Sequence, residues 1–214
     1  MSSVAVIDYG MGNLHSISKA LQHVAPGSNI RVTSDPGVIQ GADRVVFPGV
    51  GAIKGCMAQL ADRNLIEVIR DVSRRRPFLG ICLGLQALLE SSEESSDVSC
   101  LGLFGGSVVR FKNGPGTEGQ NPLKIPHMGW NSVAQKGDHS LWSGIPENSR
   151  FYFVHSYHAV PSESSCIAGT TDYTRSFACA LARENIFAVQ FHPEKSQEVG
   201  LRLLKNFSVW DGIR

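Results

Sequence analysis

Short apolar runs alternate with amphipathic stretches over residues 1–90, and this alternation constrains the fold more than any other feature of the sequence. The apolar runs, rich in β-branched side chains, cover residues 4–8, 30–33, 44–47 and 78–81. The amphipathic stretches cover residues 14–24, 54–74 and 83–90. Runs of the first kind are typical of buried strands, and stretches of the second kind predict helices. The sequence therefore predicts βαβ units and a parallel sheet covered by helices.

The second half of the chain has shorter runs in which apolar and polar residues alternate. These runs predict further strands, some of them antiparallel, at residues 106–111, 131–133, 151–160, 166–171 and 177–183. Residues 186–191 predict another buried strand, and residues 196–209 predict a closing helix with Ser196 as N-cap. We interpret the glycine-rich segment 113–121 as one mobile loop. The whole pattern predicts one α/β domain over residues 1–214, with a mixed, mostly parallel central sheet flanked by helices.

The composition argues against several classes of function. The formal net charge of +1 gives no overall field that would attract nucleic acid. No apolar run approaches the ~18 residues that a membrane-spanning helix needs. The five cysteines include no Cys-x-x-Cys pair, which argues against a disulfide framework and a structural zinc site. We therefore expect a cytoplasmic protein that uses no metal and no cofactor.

The string Gly80-Ile-Cys-Leu-Gly84 lies where a predicted strand runs directly into a predicted helix. It has the Gly-x-nucleophile-x-Gly form of a nucleophile elbow, in which the glycines relieve crowding in a tight turn. The N-terminus of the predicted helix beneath the thiol favours the thiolate. The string therefore predicts Cys82 as a nucleophile and the N–H group of Leu83 as an oxyanion donor. The other four cysteines lack such a setting, and we expect them to pack in the core.

A cysteine nucleophile needs a histidine to carry the proton and a third group to hold the imidazole ring. His192 directly follows the apolar run 186–191, and Pro193 fixes the chain direction after it. In extended backbone, His192 and Glu194 place their side chains on the same side, so we predict them as base and orienting carboxylate. A zinc site built from the same residue types is the weaker alternative, because no second Cys or His stands at ligand spacing.

A glycine-rich string, Pro48-Gly-Val-Gly51, ends the third predicted strand. It lacks the Lys-Ser/Thr pair of a P-loop and the third glycine of a dinucleotide site. We expect the N–H groups of Gly49, Val50 and Gly51 to complete an oxyanion hole facing Cys82. A plain turn remains the alternative for this string taken alone.

Three strings together resemble the class I glutamine amidotransferases in order and spacing. They are Pro48-Gly-Val-Gly51, Gly80-Ile-Cys-Leu-Gly-Leu-Gln86 and Phe191-His-Pro-Glu194. The resemblance covers the whole chain and implies the flavodoxin-like fold of that family. Further strings are similar to the branch that provides the glutaminase subunit of imidazole glycerol phosphate synthases. They are Ile7-Asp-Tyr-Gly-Met-Gly-Asn13, Ile125-Pro-His-Met-Gly-Trp-Asn131, Phe151-Tyr-Phe-Val-His-Ser-Tyr157 and His192-Pro-Glu-Lys-Ser196.

The resemblance implies a catalytic triad and a partner. The triad of Cys82, His192 and Glu194 would release ammonia from glutamine, held in part by Gln86, Ser156 and Tyr157. The partner would be a (β/α)8-barrel cyclase in a heterodimer, which uses the ammonia to form imidazole glycerol phosphate and AICAR in histidine biosynthesis. The implied interface residues are Asn13, Met128, Trp130, Tyr152 and Lys195. Ordinary core packing is the alternative for Trp130 and Tyr152.

Three other interpretations remain open from the sequence. One is a related enzyme, either the glutaminase of a different synthase or a γ-glutamyl hydrolase, because the triad strings are widely shared. The second is a non-catalytic interaction module on the same fold, which the intact Cys, His and Glu disfavour. The third is a cysteine peptidase, although nothing in the sequence indicates a peptide-binding cleft.

Overall fold

A computed structural model describes residues 2–112 and 123–213 of the chain. The loop predicted at residues 113–121 lies outside the described residues. The strands are β1 (Ser3–Ile7), β2 (Asn29–Thr33), β3 (Arg44–Gly49), β4 (Phe78–Cys82), β5 (Ser91–Ser92), β6 (Gly106–Arg110), β7 (His127–Ser132), β8 (Ala134–Gln135), β9 (Arg150–His155), β10 (Tyr157–Pro161), β11 (Ile167–Tyr173), β12 (Arg175–Arg183) and β13 (Ile186–Val189). The helices are α1 (Leu14–Val24), α2 (Pro36–Gly41), α3 (Ile53–Asp62), α4 (Ile66–Arg75), α5 (Leu83–Ala87) and α6 (Gln197–Val209).

The strands form one large mixed sheet and a separate two-stranded ladder. The order along the large sheet is β2-β1-β3-β4-β13-β12-β10-β6-β5, with β11 beside β12 and β8 beside β11. Strands β2, β1, β3, β4 and β13 run parallel, and β12 is antiparallel to β13. Among the described residues, strands β7 and β9 pair only with each other. The predicted α/β fold with a mixed, mostly parallel sheet flanked by helices is confirmed.

Apolar cores cover both faces of the parallel half of the sheet. Along β1, Ala5 and Ile7 point into one core, and Val4 and Val6 point into the other. The first core receives the apolar side chains of α3 and α4, and the second receives those of α1 and α6. Burial on both faces explains why these strands are nearly continuous apolar runs in the sequence. No helix of the described ranges is both long and apolar enough to cross a membrane.

The single helix predicted over residues 54–74 is wrong, because the structure divides it into α3 and α4. Asn64 lies between them with a φ of 57°, in the left-handed region that asparagine tolerates better than most residues. The N–H group of Leu65 returns to the carbonyl of Leu60 at 2.9 Å, which closes the end of α3. The apolar spacing continues through this break, so periodicity alone did not reveal it.

Helix α2 was not predicted from the sequence. It has six residues and is therefore too short to show a helical repeat. Its start nevertheless carries a recognisable signal, because Asp35 accepts hydrogen bonds from Gly37 N at 2.7 Å and Val38 N at 3.3 Å, and Pro36 occupies the first helical position.

Two predicted elements near the site are shorter than expected. The helix after Cys82 was predicted over residues 83–90 but ends at Ala87. The run predicted over residues 151–160 is divided at Ser156 into β9 and β10, which belong to different sheets. The backbone of Ser156 is held in the bend by its carbonyl, which accepts a hydrogen bond from Phe111 N at 3.0 Å.

Candidate active site

Three neighbouring parallel strands bring the predicted catalytic residues to one edge of the sheet. Strand β4 lies between β3 and β13, with Gly49 opposite Cys82 and Val189 opposite Ile81. The chain that leaves β13 therefore reaches His192 above the same edge. Ligands of open α/β sheets bind at the carboxyl ends of the strands, which is the edge that these residues share.

Cys82 occupies a strained turn between β4 and α5. Its φ of 56° and ψ of −108° are rarely adopted by residues that have a β-carbon. Gly84 makes the turn possible, because a β-carbon there would collide with the carbonyl oxygen of Phe47. Such strain is typical of a nucleophile elbow, as the glycine spacing predicted.

His192 and Glu194 meet as predicted, but not in extended backbone. Glu194 lies in the short 3-10 turn Pro193–Lys195, which folds its side chain back toward the histidine ring. The Nδ1 atom of His192 lies 2.8 Å from Oε1 of Glu194, and both side chains are 3% exposed. The expectation of extended backbone was wrong because Pro193, with its fixed φ, begins a helical turn at this point.

The surroundings of His192 favour its charged form. Burial lowers the pKa of His192, but the nearby sulfur of Cys82 and the carboxylate of Glu194 outweigh burial and raise this pKa to about 10. Its Nε2 atom is buried and has no hydrogen-bond partner among the described residues. That atom is therefore available to exchange a proton with Cys82 or with a bound ligand.

Ser196 supports this turn through its side chain. Its hydroxyl donates to the carbonyl of His192 at 2.6 Å and accepts from the N–H of Tyr152 at 3.0 Å. Ser196 occupies the N-cap position of α6, as predicted, but its side chain bonds to no N–H group of that helix. Ser196 therefore stabilises the turn that carries His192 and Glu194 instead of the helix start.

Cys82 and His192 line one cavity of about 290 Å³, which is close to the lower limit for small-molecule sites. The other predicted oxyanion and substrate residues in its wall are Val50, Gly51, Leu83, Gln86, Ser156 and Tyr157. The remaining lining residues are Glu94, Val154, His155 and Lys195. Gly49 lies directly behind the wall, where a β-carbon would collide with the hydroxyl of Tyr9. The structure therefore brings the predicted triad, oxyanion and glutamine residues together.

Glu94 is a cavity residue that the sequence did not reveal. Its Oε2 atom accepts a hydrogen bond from the N–H of Ile53 at 2.7 Å, at the first residue of α3. This bond holds the carboxylate against the cavity, where it suits a cationic group on a ligand. Glu94 belongs to no motif, so no sequence signal marked it.

A buried pair of amides lies beside the sulfur of Cys82. Gln86 donates through Nε2 to Oε1 of Gln190 at 3.0 Å and to the carbonyl of Tyr157 at 3.1 Å. Gln190 in turn points its Nε2 at Sγ of Cys82, at 3.6 Å. Gln190 stands two residues before His192, but its position gave no indication that it contacts the nucleophile.

Four of the five residues implied at a partner interface lie on one surface. Trp130 and Tyr152 are opposite each other on β7 and β9, with ring centroids 6.2 Å apart, and Nζ of Lys195 lies 5.9 Å from the Tyr152 ring. Met128, two residues from Trp130 on the same strand face, is 63% exposed. Trp130 is 37% exposed, so core packing does not account for it. Asn13 occupies the N-cap position of α1, a helix that packs against the turn containing Lys195.

The other four cysteines are buried, as predicted. Burial raises the pKa of Cys56 to about 12 and that of Cys100 to about 11, and it also raises the pKa of Cys179. These thiols are therefore poor nucleophiles at neutral pH. In residues 2–112 and 123–213, no group of three or more His, Cys, Asp or Glu side chains is arranged to hold a metal ion.

Known proteins match the chain over nearly its whole length. The family described as glutamine amidotransferase class-I matches residues 5–209. The imidazole glycerol phosphate synthase subunit HisH of Nitrosococcus oceani is 61% identical, with 100% of each chain covered. The subunit of the same name from Methylococcus capsulatus is 60% identical over 99% of this chain and 98% of its own.

Solved structures of low identity share the fold. The structure of PurLQS from Thermotoga maritima matches with a TM-score of 0.69 at 17% identity, covering 96% of this chain and 97% of that one. A structure titled as a glutamine amidotransferase matches with a TM-score of 0.67 at 15% identity, covering 96% and 99%. The family match and the two close relatives together show that this chain belongs to the class I glutamine amidotransferases.

Proposed function

We propose that this chain is the glutaminase subunit of an imidazole glycerol phosphate synthase, which releases ammonia from L-glutamine for a cyclase partner in histidine biosynthesis. The observation that carries the proposal is the meeting of Cys82 with the His192–Glu194 pair at one small cavity. The choice of synthase is supported by relatives of that name that are 60% and 61% identical across the chain.

The first half of the reaction forms a thioester. The thiolate of Cys82 attacks the side-chain amide carbon of glutamine, and the resulting oxyanion is stabilised by the N–H of Leu83 and an N–H from residues 49–51. His192, kept in its charged form by Glu194, gives the proton on Nε2 to the departing nitrogen. The carbon–nitrogen bond then breaks, ammonia leaves, and a γ-glutamyl thioester remains on Cys82.

The second half of the reaction restores the enzyme. Water attacks the thioester carbon, and the now neutral His192 takes a proton from that water. The carbon–sulfur bond breaks, which releases glutamate and returns the thiolate and the charged imidazole. Glu194 orients the ring in both halves through its 2.8 Å contact with Nδ1.

The cavity wall suits the amino-acid end of glutamine. The carboxylate of Glu94, held by the start of α3, is placed to bind the α-ammonium group. Gln86 and the bend at Ser156 and Tyr157 form the wall on another side and complete the glutamine site.

The proposed partner is a (β/α)8-barrel cyclase that forms a heterodimer with this chain. Met128 and Trp130 are exposed beside Tyr152 and Lys195, and this supports an interface on that face, because exposed aromatic and methionine side chains are enriched at interfaces. Asn13, at the start of the helix that packs against the turn containing Lys195, is proposed as a further interface residue. Gly49 and Gly51 flank Val50 and permit its peptide to rotate, so we expect slow turnover by the free chain and strong stimulation in the complex.

We also propose one domain over residues 1–214 and a cytoplasmic location. The match of the family to residues 5–209 supports one domain. Cys56, Cys82, Cys100 and Cys179 form no disulfide in the described part of the chain, which supports a reducing compartment.

The test is glutamate release by the purified chain, alone and with a histidine-pathway cyclase plus its ribulosyl nucleotide. We expect strong stimulation by the cyclase and a loss of at least about 1000-fold in the Cys82→Ala variant. Cys179→Ala, which removes a buried thiol from the same sheet, is the matched control and retains activity. Fast turnover that the cyclase does not change would support the glutaminase reaction but contradict the choice of synthase. It would then favour the glutaminase of a different synthase or a γ-glutamyl hydrolase.

A further inference from the structure

Three polar side chains connect the exposed strand β7 with the cavity, and the mechanism uses none of them. His127 and His155 face each other across the β7–β9 ladder, with Nδ1 of His127 3.0 Å from Nε2 of His155. Nδ1 of His155 lies 2.7 Å from the carbonyl of Tyr157, a residue of the cavity wall. At the other end, Nδ2 of Asn131 lies 3.3 Å from Nε2 of His127.

The two ends of this chain of contacts fix its direction. A carbonyl only accepts, so Nδ1 of His155 must carry the proton, and Nε2 of a neutral ring then accepts. Nδ1 of His127 must therefore donate, and its Nε2 accepts from Asn131. The amide of Asn131 is independently oriented the same way, because Nδ2 donates to the carbonyl of Asp172 at 2.8 Å and Oδ1 accepts from Ser132 N at 2.8 Å.

Both rings are held neutral and fixed in place. Burial lowers the pKa of His127 to about 4 and that of His155 to about 3. The ring of His127 is stacked between Phe153 at 4.7 Å and Tyr173 at 4.0 Å, centroid to centroid. The ring of His155 packs against Phe111 at 5.3 Å. These contacts prevent rotation, so each nitrogen keeps its partner.

The carbonyl of Tyr157 is where these contacts reach the catalytic residues. It accepts from His155 and also from Nε2 of Gln86, at 3.1 Å. Gln86 donates to Gln190, which approaches the sulfur of Cys82. One carbonyl therefore joins the histidine pair to the amide pair beside the nucleophile.

We propose that Asn131, His127 and His155 are positioning residues that form a hydrogen-bond relay of fixed direction. The relay holds the carbonyl of Tyr157 and, through Gln86 and Gln190, keeps Cys82 and the cavity wall in place for glutamine hydrolysis. Its catalytic consequence rests on the proposed function. Because it begins on β7 beside Trp130, it also connects the exposed surface with the cavity.

The direction of the relay is tested without any activity measurement. Ring nitrogen shifts are recorded by NMR on the full chain labelled with 15N-histidine at pH 7.5, with assignment by single variants. We expect His127 and His155 each to carry one proton, on Nδ1. A proton on Nε2 of either ring, or a charged ring, would overturn the relay.

The positioning role is tested by kinetics in the complex with the cyclase and its nucleotide. His155→Asn keeps an N–H donor where Nδ1 stood, whereas His155→Leu does not, and His127→Phe keeps the stacked ring but removes both nitrogens. We expect kcat/KM for glutamine to fall at least about 10-fold in His155→Leu and His127→Phe, and no more than about 3-fold in His155→Asn. Synthesis from free ammonia, which bypasses the glutaminase site, should stay within about 2-fold in all three.

His158→Phe is the matched control. His158 is buried in the same aromatic cluster, stacked on Phe111 at 4.4 Å, but lies outside the relay. Losses in His127→Phe and His155→Leu no larger than in His158→Phe, or an Asn variant as poor as the Leu variant, would overturn the positioning role. If the Cys82→Ala variant hydrolysed glutamine at the wild-type rate, the proposed function would be overturned instead. The proton positions on the rings of His127 and His155 would still test the direction of the relay.

Discussion

The protein buries histidine in two settings that share one cavity wall, and they behave in opposite ways. His192 lies beside Glu194 and Cys82, and its pKa is raised to about 10. His127 and His155 have only neutral hydrogen-bond partners, and burial lowers their pKa to about 4 and about 3. Burial is comparable, so the partner decides whether a ring carries charge. The charged ring of His192 suits the proposed role of proton carrier, whereas the neutral rings of His127 and His155 suit fixed hydrogen-bond donors and acceptors.

The largest expected effect comes from removing the carboxylate of Glu194, which lies beside His192 and, among the described residues, has no counterpart beside His127 or His155. Glu194→Gln keeps an oxygen near Nδ1 of His192 but removes the charge, so the pKa of His192 falls and the charged ring is lost. We expect kcat for glutamate release in the complex to fall about 100- to 1000-fold. Glu198→Gln, an exposed change in the first turn of α6, is the control. Normal kcat in the Glu194 variant would show that charge is not what distinguishes His192.

An intermediate effect is expected when a carboxylate is added to the neutral pair. Asn131→Asp places an acidic oxygen near Nε2 of His127, in the place of an amide nitrogen now 3.3 Å away. We expect the pKa of His127 to rise by about 1–2 units from its lowered value, as followed by NMR titration. The pKa of His158 should not move. If the pKa of His127 stays near 4, burial alone controls this site.

The smallest effect is a difference in how stability depends on pH. Burial lowers the pKa of His158 to about 4, so the unfolded chain binds protons first as pH falls from about 6.5 toward 4, and stability is lost over that window. His192, with a raised pKa, contributes stability that is present below pH 6.5 and lost as pH rises toward 10.

Urea unfolding at pH 5, 7 and 9 measures how the free energy of unfolding changes on the acidic side and on the alkaline side of neutrality. His158→Phe should reduce the loss of unfolding free energy between pH 7 and pH 5 by about 2 kcal/mol. Glu194→Gln should instead reduce the change in the free energy of unfolding between pH 7 and pH 9. Equal slopes in both variants and in the wild type would show that neither His158 nor the charge on His192 controls how stability depends on pH.

The sequence predicted those site residues whose position depends on local chain geometry. Cys82 follows from two glycines at a strand–helix junction, and His192 follows from the end of an apolar run. The parallel order of β3, β4 and β13 then brings them together, because carboxyl ends of parallel strands share one edge.

Residues whose roles depend on distant partners were not predictable in this way. Glu94 reaches the cavity only because α3 begins at Ile53, and Gln190 contacts a sulfur 108 residues away. His127 and His155 meet only through the register of the β7–β9 ladder. The break at Asn64 was missed for a different reason, since a left-handed residue leaves the apolar repeat unchanged.

The position of β13 between β4 and β12 has a consequence for the growing chain on the ribosome. The segment with Cys82 is made before β13, and β13, which leads to His192, must then insert into the middle of the sheet. A chain that stops before β13 therefore has the proposed nucleophile without the proposed proton carrier, and the edge of β4 that β13 would cover is unpaired. On the proposed mechanism, a copy that stops before β13 therefore cannot hydrolyse glutamine.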